Sequence, residues 1–291
     1  MNRLVERLGD GTAVLDGGMG TLLQERGLED GGAGELWNAE RPDVVREAHE
    51  QYADAGARLL TTNTFGGTRP RLDMHGLGDR VHELNAAAAR IAREVADEHG
   101  VLVAGDLGPT GELLAPLGTM TPEDAQDLFE EQLRGLAEGG IDVVLIETMS
   151  DLGEVEAAMA AARAVVPDLP IIATLSFDTN LRSMMGVRPG DAVATLAALG
   201  VDAVGANCGR GPEEMEQIAG ALADARPDGL LLVAQSNAGL PQVVGDHFEY
   251  DASPADLAEH ARTLQKLGID LIGACCGSTP EHIAAIRDAV A

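Results

Sequence analysis

The sequence predicts a single-domain α/β protein, an eight-stranded (β/α)8 TIM barrel running over residues 1–291. Three observations predict it. Eight short runs rich in Val, Ile and Leu recur along the chain, mostly continuous rather than alternating, as parallel strands buried on both faces read. Amphipathic, capped stretches separate them. The length of 291 residues suits a barrel, which typically takes about 250.

The elements follow in order. A charged amphipathic turn (MNRLVERLGDG) leads straight into the first run, AVLDGG (13–18). RPDVVREAHEQYADAG then opens with Pro42 and closes at Gly56, and ARLLTTNTF (57–65) is the second run. Residues 66–80 (GGTRPRLDMHGLGDR) read as a long loop, which a barrel places on its catalytic face as a candidate lid. VLVAGDLG (101–108) is the third run, followed by a helix with Thr121 as N-cap, Pro122 at its first position and Asp124 behind. DVVLIET (142–148), PIIATLSF (170–177), DAVGANC (202–208) and LLLVAQSNAG (230–239) continue the series. SPADLAEHARTLQKLG repeats the hydroxyl–Pro start at Ser253 and Pro254; IDLIGACCG (269–277) is the eighth run, and a last helix starts at Thr279–Pro280. With no linker or low-complexity tract between them, eight strand–helix units close more economically into a barrel than into an open doubly wound sheet.

Composition narrows the function. The formal net charge is -28 and aromatics make up 2% of residues, which excludes nucleic acid and anionic membrane surfaces as partners and leaves no stacking platform for bases. Lys266 is the only lysine, a pattern with two readings, a GC-rich genome or adaptation to high salt. No transmembrane segment or signal peptide is visible. Three cysteines, an odd number, suit a reducing cytoplasm better than a disulfide framework.

A barrel concentrates its chemistry at the C-terminal ends of its strands. Asp16, Thr62, Asn63, Thr64, Asp106, Glu147, Thr148, Asn207, Ser236 and Asn237 fall there, and so do all three cysteines, Cys208, Cys275 and Cys276. One buried cysteine is ordinarily a small hydrophobe. Three at one mouth, two of them adjacent, suit zinc with a position left open for substrate. Zinc on three thiolates carries a net negative charge, is a poor activator of water and keeps a bound thiol nucleophilic. The expected reaction is alkyl transfer to a thiol.

At these residues the sequence resembles the homocysteine S-methyltransferase family, which includes betaine–homocysteine methyltransferase and the homocysteine-binding module of cobalamin-dependent methionine synthase. The matching segments are LDGGMGT (15–21), TTNTFGGTR (61–69), GDLGPTGELLAPLG (105–118), IETMSD (146–151), GANCGRGPEE (205–214), SNAGLPQ (236–242) and GACCGSTPEHI (273–283), in one order over nearly the whole chain. The resemblance implies a homocysteine-binding barrel, zinc on Cys208, Cys275 and Cys276, and Asp16 and Glu147 facing the substrate ammonium group with Thr62 nearby. For the substrate carboxylate the sequence offers no arginine at a strand end; the backbone N–H groups of Gly17, Gly18 and Met19 are the candidates. Asn237 is a candidate fourth metal ligand through its amide oxygen, and Asn207 a support for the Cys208 thiolate.

The methyl donor is less defined. The segments NTFGGTRPRL and GDLGPTGELLAPLG resemble the methionine synthase module most, which implies methylcobalamin carried by another protein. S-methylmethionine or S-adenosylmethionine is the second reading, and betaine, which needs an aromatic cage to which Trp37 could belong, the third. Two rivals come from other classes. A zinc hydrolase is disfavoured because none of the seven histidines lies at a strand end; His75 and His247 fall in loops. A non-enzymatic zinc barrel that binds homocysteine for a partner is the other.

Overall fold

The computed structural model describes residues 2–9, 11–29, 31–240, 242–244 and 247–291. Eight parallel strands form the barrel: β1 (Ala13–Val14), β2 (Leu59–Thr61), β3 (Leu102–Leu107), β4 (Val143–Met149), β5 (Ile171–Leu175), β6 (Ala203–Cys208), β7 (Leu231–Ser236) and, after the hairpin β8 (Gln242–Val244) and β9 (His247–Glu249), β10 (Leu271–Ala274). Their order is β1-β10-β7-β6-β5-β4-β3-β2, and a parallel bridge between Leu15 and Leu59 brings the first and last of these together. Helices follow the strands, so each strand is covered outside by helices and filled inside by its neighbours' side chains. This is why the strands read as unbroken apolar runs.

The barrel lumen is packed with small and branched side chains, among them Leu15, Leu59, Val143, Leu145, Ile172 and Val233. Leu4 and Leu8 belong to the same cluster. They come from a helix, Arg3–Leu8, where the sequence reading had only an amphipathic turn. Asn2 caps it by accepting from Leu4 N–H, and its apolar side plugs the N-terminal end of the barrel. A six-residue helix is too short to be stable alone; burial of Leu4 and Leu8 holds it.

The strand ends differ from expectation in length. The first run contributes only two residues and the second only three, so Asp16 and Thr62–Thr64 lie just past their strands. Residues 66–80 are not plain loop: a helix at Arg69–Asp73 and a 3-10 turn at Gly78–Arg80 interrupt it. The hairpin β8–β9 had no counterpart in the sequence reading. His247, expected in a loop, falls in β9, its side chain lying outside the described set, as does Pro241 of the SNAGLPQ segment. Thr121 and Ser253 cap their helices as the sequence reads, and the structure completes each start as a capping box with Asp124 and Asp256. No described helix is long and apolar enough to cross a membrane.

Candidate active site

The mouth of the barrel holds a cavity of about 600 Å³. Cys208, Cys275 and Cys276 line one side of it, with Asp16, Asp106 and Glu147 in the same enclosure.

The three sulfurs converge although Cys208 is far from the pair in sequence. Their Sγ atoms lie within 4.8 Å of one another, with Cys208–Cys275 at 2.9 Å and Cys275–Cys276 at 3.9 Å. The end of β7 sets this arrangement. Ser236 accepts from Cys275 N–H at 2.8 Å. Asn237 donates to the Gly209 carbonyl at 2.7 Å and accepts from Cys276 N–H at 3.1 Å. The Asn237 amide oxygen, the candidate fourth ligand, is thus engaged with the backbone, where it ties the two cysteine turns together.

Asn207 supports Cys208 from the other side. Its oxygen accepts from Thr148 N–H and from the Thr174 hydroxyl, and its amide donates to Thr148 Oγ1 and, at 3.7 Å, to Cys208 Sγ. These bonds hold two left-handed residues in place, Thr148 (φ 59°) and Cys208 (φ 61°). Such backbone is strained for a β-branched residue and clusters at functional sites. The register of β4 against β5 shifts between Ile146 and Met149, and the irregularity turns Glu147 into the cavity.

Without a cation the thiols share protons. Hydrogen bonds from Cys208 and Cys275 hold Cys276 down to about 3, with a further bond from the Tyr250 hydroxyl. Its two sulfur neighbours and burial push Cys275 well up. Three thiolates this close, in a buried site, need a metal cation to be ionised together. The sulfur set fits one: at a Zn–S length of about 2.3 Å a tetrahedral ion spaces its sulfurs by about 3.8 Å, close to the Cys275–Cys276 separation of 3.9 Å and under an ångström more than that of Cys208 and Cys275.

Asp16 and Asp106 are buried and Glu147 is half-buried, and none has an arginine partner among the described residues. Asp16, 2% exposed, accepts from Thr61 N–H at 2.6 Å and from the Thr61 hydroxyl at 2.8 Å. Burial pushes it up to about 6 against the pull of those bonds. Burial, then the charges of Asp16 and Cys276, push Glu147 up to about 8. Asp106 is raised well above the carboxylate range by burial and by Glu147, Glu35 and Asp16, and its Oδ1 has no hydrogen-bond partner. Such a cluster awaits a cation.

The remaining candidates divide. Thr62 lines the cavity, but its hydroxyl accepts from Asp106 N–H and pairs with Thr64 Oγ1, which in turn donates to the Asp106 carbonyl. Thr62 therefore knits β2 to β3 and fixes Asp106. Gly17 and Gly18 are glycines for steric reasons: a Cβ would stand 2.6 Å from Ser278 Oγ at the first and 2.8 Å from the Cys275 carbonyl at the second. Gly18 N–H already donates to Ser278 Oγ. The N–H groups of Gly17 and of Met19, at the start of a helix, have no protein acceptor among the described residues. Trp37 does not line the cavity, and the Arg41 guanidinium lies 4.1 Å over its ring.

Sequence reasoning missed Thr61, Tyr250, Glu35 and Arg71, all lining residues. Thr61 adjoins a segment already singled out; Tyr250 arrives from the hairpin, which carries no strand-end signal.

Comparison with known proteins agrees with this geometry. The family model described as homocysteine S-methyltransferase matches residues 13–290. Methionine synthase of Mycobacterium leprae (strain TN) is 36% identical over an alignment of 307 residues, covering 99% of this chain and 25% of that protein. The Mycobacterium tuberculosis enzyme is also 36% identical, over 306 residues. The chain thus spans about a quarter of the length of these relatives. Among solved structures, the homocysteine methyltransferase MmuM of Escherichia coli superposes with a TM-score of 0.80 at 27% identity, over 99% of both chains in its oxidised form and 98% in its metallated form. A match of sequence and fold from end to end, on a barrel whose mouth joins a thiol triangle to a carboxyl cluster, leaves one conclusion: the chain belongs to the homocysteine S-methyltransferase family.

Proposed function

We propose that this barrel transfers a methyl group to the thiol of homocysteine, giving methionine, with zinc held by Cys208, Cys275 and Cys276. One observation carries the reading: the sulfur triangle and the uncompensated carboxyls Asp16, Asp106 and Glu147 share a single cavity. An amino acid bearing a thiol matches both ends of it.

Bound zinc would supply the positive charge that keeps these thiols, and an incoming one, ionised at neutral pH. The chain's own residues do the rest. Asp16 and Glu147 take the substrate ammonium group, and its charge returns both carboxyls to their ionised form. Gly17 and Met19 N–H groups receive the carboxylate, Gly18 being engaged by Ser278. Asn207 and Asn237 orient the cysteine turns, so the substrate sulfur is presented toward the open mouth, from which the donor arrives.

The donor in this reading is a methyl-corrinoid carried on another module or protein. A sulfonium donor such as S-methylmethionine is the second reading, favoured by a cavity of about 600 Å³, in the range that holds ligands larger than one amino acid, about 300–1,000 Å³. The proposed setting is the cytoplasm.

The test is zinc content of protein purified under reducing conditions, followed by methionine formation from homocysteine with methylcobalamin or with S-methylmethionine. The expected result is about one zinc per chain, lost in Cys208→Ala, and turnover with one donor. Zinc and homocysteine binding without turnover by any donor would replace the enzyme with a homocysteine-binding subunit.

A further inference from the structure

We infer that Arg71 is the anion site for the methyl donor, binding a carboxylate or phosphate oxygen of the second substrate and not homocysteine. The inference rests on the proposed methyl transfer.

Arg71 is the only lysine or arginine among the described residues lining the cavity. It stands half-buried on the short helix Arg69–Asp73, in the segment after β2, with its aliphatic stem over Gly111. In a chain with 48 acidic and 20 basic side chains, partners are abundant. Its helix neighbour Arg69 is paired with Glu131 and Asp79. Arg71 makes no hydrogen bond or ion pair with any described residue. A guanidinium carries five donors in a fork that suits an oxyanion, and holding it partly desolvated and unpaired is unfavourable until one arrives.

The cavity's own carboxyls do not use it. Burial raises Asp16, Asp106 and Glu147, neighbouring acidic groups add to it at Asp106 and Glu147, and Arg71 exerts no opposing pull on any of them. Among the described residues the cavity is thus split in charge, with Asp16 and Asp106 buried, Glu147 half-buried beside them, and one unpaired arginine on the segment after β2. Two exposed apolar side chains line the same cavity, Phe65 (37% exposed) and Met74 (72% exposed). Homocysteine has one carboxylate, for which the Gly17 and Met19 amides stand beside Asp16. A cavity of about 600 Å³ leaves room for a second ligand. That ligand meets an apolar surface and a guanidinium, so it carries an oxyanion: the carboxylate of a sulfonium amino acid or the phosphodiester of a corrinoid.

The experiment measures dissociation constants of homocysteine, S-methylmethionine, methylcobalamin and methylcobinamide, which lacks the phosphodiester, on zinc-loaded wild-type, Arg71→Gln and Arg71→Lys protein. Loss of a charge-assisted bond predicts donor affinity weakened about tenfold or more in Arg71→Gln, partly restored in Arg71→Lys, with homocysteine changed less than about twofold. A loss confined to S-methylmethionine identifies the carboxylate; a loss for methylcobalamin but not methylcobinamide identifies the phosphate. A loss that falls on homocysteine, unchanged affinity for every donor, or no donor binding to the wild type would overturn the inference. Arg71-dependent donor binding without methionine formation would uphold the anion site and refute the proposed reaction.

Discussion

The two ends of the barrel treat their acids in opposite ways. At the N-terminal end, Asp142, Asp202 and Asp270 each stand immediately before a strand, β4, β6 and β10. Each accepts a backbone N–H of a neighbouring strand, from Val103, Ile171 and Leu232 respectively. Each also meets arginine: Arg93 and Arg7 at Asp142, Arg3 at Asp202, Arg226 at Asp270. At the C-terminal end, Asp16, Asp106 and Glu147 have no arginine, and Asp106 leaves an oxygen without any partner. The same residue types serve stability where they are satisfied and binding where they are not.

The sharpest break of this comparison is Glu147→Gln. In the ligand-free, metal-free protein the folded carboxyl titrates near 8, against 4.5 ordinarily. The folded chain therefore binds more protons than the unfolded chain between those values, and stability falls as pH rises through them. An uncharged Gln removes that loss. The variant should be more stable than wild type at pH about 8, by on the order of 3 kcal/mol, and equal to it near pH 4. Its homocysteine affinity should fall about a hundredfold. Urea melts at the two pH values and a homocysteine titration check this; a variant destabilised at both would mean that Glu147 is a structural acid like those at the other end.

His49 gives the opposite slope. It is wholly buried on the helix Pro42–Ala55, and neither ring nitrogen has a partner. Burial lowers it to about 4 from 6.5. The unfolded chain takes up the proton first, so stability is complete above pH 6.5 and is lost as pH falls toward 4. Between pH 7.5 and 4.5 the histidine should account for about 2 kcal/mol of lost stability. His49→Leu should flatten that part of the acid limb; an unchanged limb would refute the assignment.

Much of this arrangement was legible in the sequence. Parallel strands buried on both faces announce themselves as unbroken apolar runs, and Thr121–Asp124 and Ser253–Asp256 are local signals whose partners lie three residues away. The cysteines were legible for a related reason: their position at strand ends needs only the strand assignment. What stayed hidden depends on cross-strand neighbours. Asp16 finds Thr61 only because Leu15 meets Leu59, and the Asn237 oxygen, a candidate ligand when read alone, has a Cys276 N–H beside it once the strands are assembled. Helices as short as Arg3–Leu8 and Arg69–Asp73 are held by their surroundings and show no periodicity of their own. Residues 66–80 accordingly read as loop.

The smallest effects separate the two halves of one satisfied pair at the N-terminal end. Arg3 donates to both oxygens of Asp202, while Asp202 also accepts from buried Ile171 N–H at 2.9 Å. Removing the acid leaves that N–H without its partner beneath the barrel plug, so Asp202→Ala should cost about 2 kcal/mol and lower the melting temperature by a few degrees. Removing the arginine leaves the backbone bond intact. Its side chain is 39% exposed and the pair is screened by solvent, so Arg3→Ala should cost about 0.5 kcal/mol, less at high salt. Neither variant should change homocysteine affinity. Equal losses from the two variants would mean that the ion pair, and not the capping of Ile171 N–H, is what Asp202 contributes, and the resemblance among Asp142, Asp202 and Asp270 would then lie in their arginines alone.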